Sequence, residues 1–209
     1  MYVPAQFEEK NLTALYDLIS NNALGCLITQ QDGLLDANHI PFELCTETQG
    51  LGVLKAHIAR ENPLFQQLQD QDEVLVVFRA DQGYISPNWY PEKLQHHRTV
   101  PTWNYRVVHV RGKIRVHDDE KFLRGLLARL TRQHEATQPE PWKMSDAPAD
   151  YIAEELRHIV GIEIQITDLQ GKFKISQNRS VEDRQGVVKG LAEQGNLALS
   201  QSVQSTLSE

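Results

Sequence analysis

Short apolar runs separated by turn residues dominate the first half of the chain. Leucine and isoleucine recur at helical spacing over residues 11–22, which predicts an amphipathic helix that stops before Gly25. Extended patterns follow at residues 25–30, 34–44 and 51–59, and the dipeptide Asp32-Gly33 predicts a hairpin between the first two. A short helix is expected at residues 59–68. Two further strands are expected at residues 73–80 and 83–90, joined by a turn at Asp81-Gln82.

The longest extended pattern lies in the second half, at residues 102–117. Its even-numbered positions near the end are apolar, and the intervening positions on the other face are basic or imidazole: His109, Arg111, Lys113, Arg115 and His117. An amphipathic helix is expected at residues 118–135, a second near 149–158, a strand at 162–175 and a helix at 180–193. Residues 194–209 are polar and rich in Ser and Gln, which predicts a disordered tail.

This order of elements indicates a mainly β protein with flanking helices, of the α+β class. The hairpin signals favour a predominantly antiparallel sheet that curls into a barrel, and they disfavour a doubly wound α/β fold. A chain of 209 residues is the size of one ordinary domain. We therefore expect one domain over residues 1–193, with a helical excursion at about residues 118–158.

The distribution of charge changes this picture more than the total does. The formal net charge is -7, but residues 92–117 contain six Lys or Arg and one acid, and residues 171–190 contain five and two. Two short basic segments in an acidic chain indicate an anionic ligand.

Several functional classes are excluded or disfavoured by the absence of their signatures. The chain has no nucleophile elbow, phosphate-binding loop, dinucleotide-binding glycine motif or zincin motif, and Cys26 and Cys45 form no C-x-x-C pair. The longest apolar runs are about five residues, against on the order of 20 for a membrane span. The first residues lack the segments of a secretory signal, so a cytoplasmic protein is expected. The adjacent residues His96 and His97 point apart and no carboxylate cluster accompanies them, so no metal site is expected.

Four segments combine polar, aromatic and basic residues in a way that turns alone do not require. Residues 55–63 run from a strand end to a helix start, where backbone N–H groups can hold an anion. Residues 84–90 and 100–105 place aromatic rings beside hydroxyl and amide groups, as a phosphate ligand with a planar ring would need. Residues 171–180 place Lys172, Lys174 and Ser176 on one face of a strand. A solvated helix start and large core aromatic residues are the alternative interpretations.

Taken in order, these segments resemble the PaiB-type FMN-binding negative transcriptional regulators, which repress protease synthesis and sporulation. The resemblance begins at Met1-Tyr2-Val3-Pro4, continues through residues 37–42, 57–63, 84–91 and 100–110, and extends to residues 171–184. It implies a split β-barrel of the flavin-reductase and pyridoxamine-phosphate-oxidase type, a homodimer, and FMN bound at the subunit interface. DNA is implied as a partner, bound directly or through another protein.

The resemblance also guides the assignment of site residues. We expect four residues at the FMN phosphate: His57, Arg60, Lys172 and Lys174. We expect six at the ring or the ribityl chain: Ser86, Trp89, Thr102, Trp103, Asn104 and Tyr105.

Two other functions stay open at this point. One is an FMN-dependent oxidoreductase or a haem-handling enzyme of the same barrel, with the cofactor carrying the redox chemistry and His39, His57 or His109 as proton donors or haem ligands. The other is an interaction module that has lost its cofactor. No helix-turn-helix pattern is present, so DNA contact would fall to the basic strand or to the basic side of the helix at residues 118–135.

Overall fold

A computed structural model describes residues 1–47 and 50–207. In this part of the chain the strands are β1 (Glu8–Glu9), β2 (Leu24–Gln31), β3 (Leu34–Pro41), β4 (Glu43–Cys45), β5 (Val53–Ala59), β6 (Glu73–Ile85), β7 (Thr102–His117) and β8 (Ile159–Lys174). The helices are α1 (Leu12–Asn21), α2 (Pro63–Gln67), α3 (Lys93–His96), α4 (Glu120–Glu135), α5 (Ala149–Arg157), α6 (Val181–Glu193) and α7 (Leu197–Ser205). Short 3-10 turns cover Ala5–Phe7, Pro87–Trp89 and Met144–Asp146.

The strands form one sheet in the order β3-β2-β6-β7-β8-β5-β4, with β1 added to β8. The pairs β2–β3, β2–β6, β4–β5, β5–β8 and β1–β8 are antiparallel, as the hairpin signals predict. Asp32 and Gly33 form the first turn with φ of 50° and 82°, the left-handed conformation that a two-residue hairpin needs. The expected antiparallel sheet with flanking helices is confirmed.

The second hairpin prediction is wrong. Asp81 and Gln82 lie inside β6, which continues to Ile85 without a turn. Arg106 donates to the Asp81 carboxylate, and the Asn196 side chain donates to the Gln82 carbonyl at 2.9 Å. Partners distant in sequence therefore satisfy polar groups that would otherwise favour a turn.

The described chain divides into two compact units. Unit 1 contains Met1–Leu18, Phe78–His109 and the chain from Gln170 onward, and unit 2 contains Ile19–Val77 and Val110–Leu169. The core of unit 1 includes Phe78, Ile85, Val108, Val187, Leu191 and Leu199. The core of unit 2 includes Leu27, Leu54, Val76, Ile114, Leu126 and Ile162. Each unit therefore buries its own apolar side chains.

The predicted tail contains a helix, so the expectation of disorder is wrong for residues 197–205. Asn196 accepts a hydrogen bond from the backbone N–H of Leu199 and so caps α7. Leu199 and Val203 are fully buried, and the Ser200 hydroxyl donates to the carbonyl of Val188 in α6. A narrow apolar stripe packed on α6 is enough to hold this polar helix. Residues 208 and 209 lie outside the described chain.

None of the helices in residues 1–47 and 50–207 combines the length and the apolar character of a membrane span.

Candidate functional site

Three cations gather where β8 ends in unit 1, and we call Lys172, Lys174 and Arg179 the cationic cluster. The Lys174 ammonium donates to the Thr102 hydroxyl, and to the Trp103 carbonyl at 2.8 Å. Burial lowers the pKa of Lys174, and the positive charges of Lys172 and Arg179 lower it further. Like charges held this close favour an anion between them, because a bound anion removes their repulsion.

Aromatic rings border the cationic cluster. Trp103 and Tyr84 are 55% and 47% exposed, and their ring centroids lie 6.4 Å apart at an interplanar angle of 78°. The Lys172 ammonium lies 5.4 Å from the Tyr105 ring and 5.5 Å from the Tyr2 ring. These edge-to-face rings leave apolar surface open beside cations, which suits a ligand with both a planar ring and an anionic group.

The turn after β8 shapes the inner side of the site. Ser176 has a φ of 65°, a left-handed conformation that is uncommon for a serine, and is 3% exposed. The Asn104 amide is also buried and donates to the Ser176 hydroxyl at 2.8 Å. β8 stops at Lys174, so the alternation expected from sequence does not continue and Ser176 turns inward. Asn104 thus holds the turn that positions Lys174 and Arg179.

Tyr90 and Arg179 form the other side of this turn. The Arg179 guanidinium lies 4.8 Å from the centroid of the Tyr90 ring. The Tyr90 hydroxyl is buried and forms no hydrogen bond of normal geometry within the described chain, although Arg179 and Ser176 are near enough to influence its pKa. Burial raises that pKa, so the hydroxyl stays protonated. The sequence patterns assigned no role to Tyr90 or Arg179, although both lie in segments that they marked, residues 84–90 and 171–180.

Two residues expected at the ring or ribityl chain have structural contacts of their own. Ser86 caps the 3-10 turn at Pro87–Trp89 by accepting from the Asn88 N–H. The Trp89 indole packs directly on Gly190 of α6, where an added Cβ would lie within 2.6 Å of three ring atoms. These contacts hold the turn against α6, and a role for Ser86 or Trp89 toward a ligand stays a prediction.

His57 and Arg60, the other two residues expected at a phosphate, belong to unit 2. The Arg60 guanidinium donates two hydrogen bonds to the Asp118 carboxylate, at 2.8 and 2.5 Å. It also donates to the carbonyls of Arg157 and Ile159. Arg60 therefore joins the end of β5 to the start of α4. The expected contacts of His57 and Arg60 with a phosphate stay predictions.

A second basic surface runs along β7 in unit 2. Arg111, Lys113 and Arg115 are exposed on one face, and none of the three forms an ion pair with a described residue. Their spacing is two residues, or about 7 Å along a strand. In contrast, Arg124 and Arg129 on α4 pair with Glu120 and Glu43. All three charges of the strand are unpaired within the described residues, whereas two of the four basic residues of the helix, which are Lys121, Arg124, Arg129 and Arg132, are paired.

The chemistry of the cationic cluster fits a flavin mononucleotide. Two ammonium groups, a guanidinium and the Thr102 hydroxyl supply donors for a phosphate. The exposed faces of Trp103 and Tyr84 supply flat apolar surface for a ring system. Five of the predicted site residues come together here: Thr102, Trp103, Tyr105, Lys172 and Lys174. Asn104 joins them as the group that holds the turn.

Comparison with known sequences shows the family to which the chain is related. A sequence model of the family described as "Putative FMN-binding domain" matches residues 1–168. An uncharacterized protein of Emericella nidulans is 37% identical, over 93% of this chain and 92% of the relative. The protease synthase and sporulation protein PAI 2 of Bacillus subtilis is 29% identical, over 94% of this chain and 91% of the relative. The cationic cluster follows the residues that the family model matches.

Solved structures show the same fold. An FAD and heme binding protein from Mycobacterium smegmatis aligns with a TM-score of 0.58 at 19% identity, over 80% of this chain and 73% of the other. The flavocytochrome Anf3 from Azotobacter vinelandii aligns with a TM-score of 0.58 at 12% identity, over 80% and 69%. These likenesses confirm the predicted split-barrel fold.

Proposed function

The chain belongs to the family of FMN-binding domains, and from that premise we propose that it is a regulatory protein whose DNA contact depends on bound FMN. The observation that carries the proposal is the cationic cluster with its exposed aromatic border. Lys174, Arg179 and Thr102 hold the phosphate, and Trp103 and Tyr84 contact the ring. When bound, FMN supplies a reversible two-electron redox group and a visible absorbance.

The regulatory part rests on the basic face of β7 and on the relative from Bacillus subtilis. Arg111, Lys113 and Arg115 present three unpaired charges at a regular spacing, which suits contacts with successive phosphates of a nucleic acid backbone. The name of PAI 2 connects that protein with protease synthesis and sporulation. A homodimer, which the family resemblance implies, completes the proposal, and we place it in the cytoplasm.

The flavin site is tested by equilibrium titration with FMN and by the visible spectrum after gel filtration. Lys172→Gln/Lys174→Gln removes two positive charges from the cluster, and we expect its FMN affinity to fall at least about tenfold, since charge-assisted bonds contribute roughly 1.5–3 kcal/mol each. Lys10→Gln/Lys189→Gln is the matched control, because both side chains are 79% exposed. Equal FMN affinity in the two double variants would place the phosphate elsewhere.

The DNA contact is tested by gel shift with a mixed-sequence duplex over a range of salt concentrations, with and without FMN. Neutralising Arg111, Lys113 and Arg115 together by substitution with Gln should reduce the salt slope by about 2.7, from about 0.9 per phosphate contact. Removing FMN should change the affinity of the unaltered protein. Absence of any salt-sensitive DNA affinity would refute the regulatory proposal and leave the flavin site intact.

The second function is an FMN-dependent oxidoreductase, favoured by the exposure of Trp103 and Tyr84. A ring bound against these side chains would stay open to a reductant from solvent. The assay is oxidation of NADH or NADPH by the FMN-loaded protein, with the absorbance of bound flavin followed at the same time. Flavin that no nicotinamide reduces argues against this function, and a Soret band in the isolated protein would indicate haem instead.

A further inference from the structure

A cavity lies in unit 2, between the sheet face of β5 and the helices of the excursion. Its walls come from α4, α5 and the connection between them, and His57 forms part of the sheet side. The volume beside His57 is about 260 Å³. Two neighbouring hollows of about 340 and 470 Å³ share Thr131 and Trp142 with it. We call this space the His57 pocket. The two larger of the three hollows have volumes in the range of small-molecule sites.

The wall of the His57 pocket is mainly apolar. Its apolar members are Leu127, Trp142, Met144, Ile152, Leu156 and Ile159. Trp142 is 44% exposed and contributes to all three hollows, so a large part of its indole surface is open. A ring compound packed on this indole would bury apolar surface on both partners.

Few polar groups interrupt this wall, and each of them can accept a hydrogen bond. The Nδ1 atom of His57 is buried and has no hydrogen-bond partner within the described chain. Glu155 adds a carboxylate, and Thr131 adds a hydroxyl. Burial lowers the pKa of His57, so its imidazole is neutral at pH 7 and one ring nitrogen is free to accept. His57 lines the pocket, so a ring nitrogen that accepts there offers a partner to a ligand N–H or O–H group.

We propose that the His57 pocket binds a neutral, largely apolar ring compound that donates one N–H or O–H group to the imidazole and packs its ring on Trp142. Every residue of this pocket belongs to unit 2, whereas the cationic cluster belongs to unit 1. The proposal therefore goes beyond flavin binding and does not depend on it. It gives His57 a different role from the phosphate contact expected from sequence.

The probe is N-phenyl-1-naphthylamine, a neutral aromatic amine with one N–H group whose fluorescence rises in apolar surroundings. We expect saturable binding to the full chain at pH 8, in the presence and absence of FMN. His57→Leu should weaken the affinity about three- to tenfold, as the loss of one hydrogen bond predicts. Trp142→Ala should weaken it at least about tenfold, because the ring loses its stacking surface.

Two controls separate binding from folding. His158→Leu and Tyr151→Ala change exposed residues of the same helical excursion that do not line the pocket, and they should keep the affinity of the unaltered protein. Far-ultraviolet circular dichroism and the melting temperature establish that each variant is folded.

Three results would overturn the proposal. They are a linear, unsaturable fluorescence increase, equal affinity in His57→Leu and His158→Leu, and competitive displacement of the probe by FMN. The last result would make the pocket a flavin site. Lys172→Gln/Lys174→Gln distinguishes the two proposals, because it should lose FMN and retain the probe.

Discussion

The packing of Trp89 on α6 gives a prediction whose magnitude follows from the structure. Gly190 lies in the interior of α6, and an added Cβ would lie within 2.6 Å of three atoms of the Trp89 ring. Ordinary contact begins near 3.4 Å, so the indole must move by about 1 Å in Gly190→Ala. Overpacking of this kind costs about 1–3 kcal/mol. Replacing glycine in a helix interior by alanine stabilises by about 1 kcal/mol, which offsets part of that cost.

Gly125→Ala is the matched control in α4. Its added Cβ would meet only the end of the Arg129 side chain, at 3.4 Å, which is an ordinary van der Waals contact. Arg129 can therefore keep its ion pair with Glu43. The control therefore shows the helix gain without the clash, and its melting temperature should rise about 2–4 °C. Gly190→Ala should melt no higher than the unaltered protein, which places it about 1–3 kcal/mol below the control.

Thermal unfolding followed by circular dichroism measures both variants under the same conditions. If Gly190→Ala melts as high as Gly125→Ala, the indole does not pack on α6 as described. The double variant Gly190→Ala/Trp89→Leu tests the same contact from the other side. Its two changes should be less destabilising together than the sum of the single effects, because the smaller side chain removes the clash.

Three further predictions concern ionisable side chains in unit 2. Arg129→Met leaves the Glu43 carboxylate, 10% exposed, without its partner, and should lower the free energy of unfolding in urea by about 1–3 kcal/mol; Glu43→Gln in the same chain should restore part of it. The hydrogen bond from Arg60 lowers the pKa of Asp118, so its stabilisation is present above about pH 4 and is lost as the pH falls through the folded pKa. Asp118→Asn should therefore lose less free energy of unfolding than the unaltered protein as the pH falls below about 4. The difference should be less than about 1 kcal/mol, because the Arg60–Asp118 pair is largely exposed. An equal loss in the two proteins would contradict this prediction. Burial lowers the pKa of His57, so stability should fall as the pH drops below about 6.5, and urea midpoints at about pH 7.5 and 5.5 should differ less in His57→Gln.

Elements with a strong local pattern were predictable from sequence. The helix expected at residues 118–135 is α4, capped by Asp119, and its leucine stripe is buried at Leu123, Leu126 and Leu130. The strand expected at residues 102–117 has the predicted bounds, with Val108 and Ile114 buried and Arg111 exposed. In both elements the residues that decide the structure lie within one turn or one pleat of each other.

Features that depend on distant partners were not predictable. The continuity of β6 depends on Asn196, which is 114 residues from Gln82, and local composition there favours a turn. α7 was missed because its polar composition hides the few apolar side chains that pack on α6. In the candidate site, the alternation of residues along the strand predicted that Lys172 and Lys174 share one face. It did not predict that Ser176 turns inward, because that turn depends on a hydrogen bond from Asn104. The prediction of one domain over residues 1–193 could not show that unit 1 is built from three separate segments.

That three-segment construction has a consequence for synthesis on the ribosome. β1 pairs with residues 171 and 172, so the opening strand must wait for a partner near the other end of the chain. The cationic cluster and α6 also belong to the last segment, whereas most of unit 2 has left the ribosome before them. A chain that terminates early can complete neither the core of unit 1 nor its cationic cluster. If FMN binds at the cationic cluster as proposed, chains that stop before residue 170 should therefore fail to retain it in a cell extract.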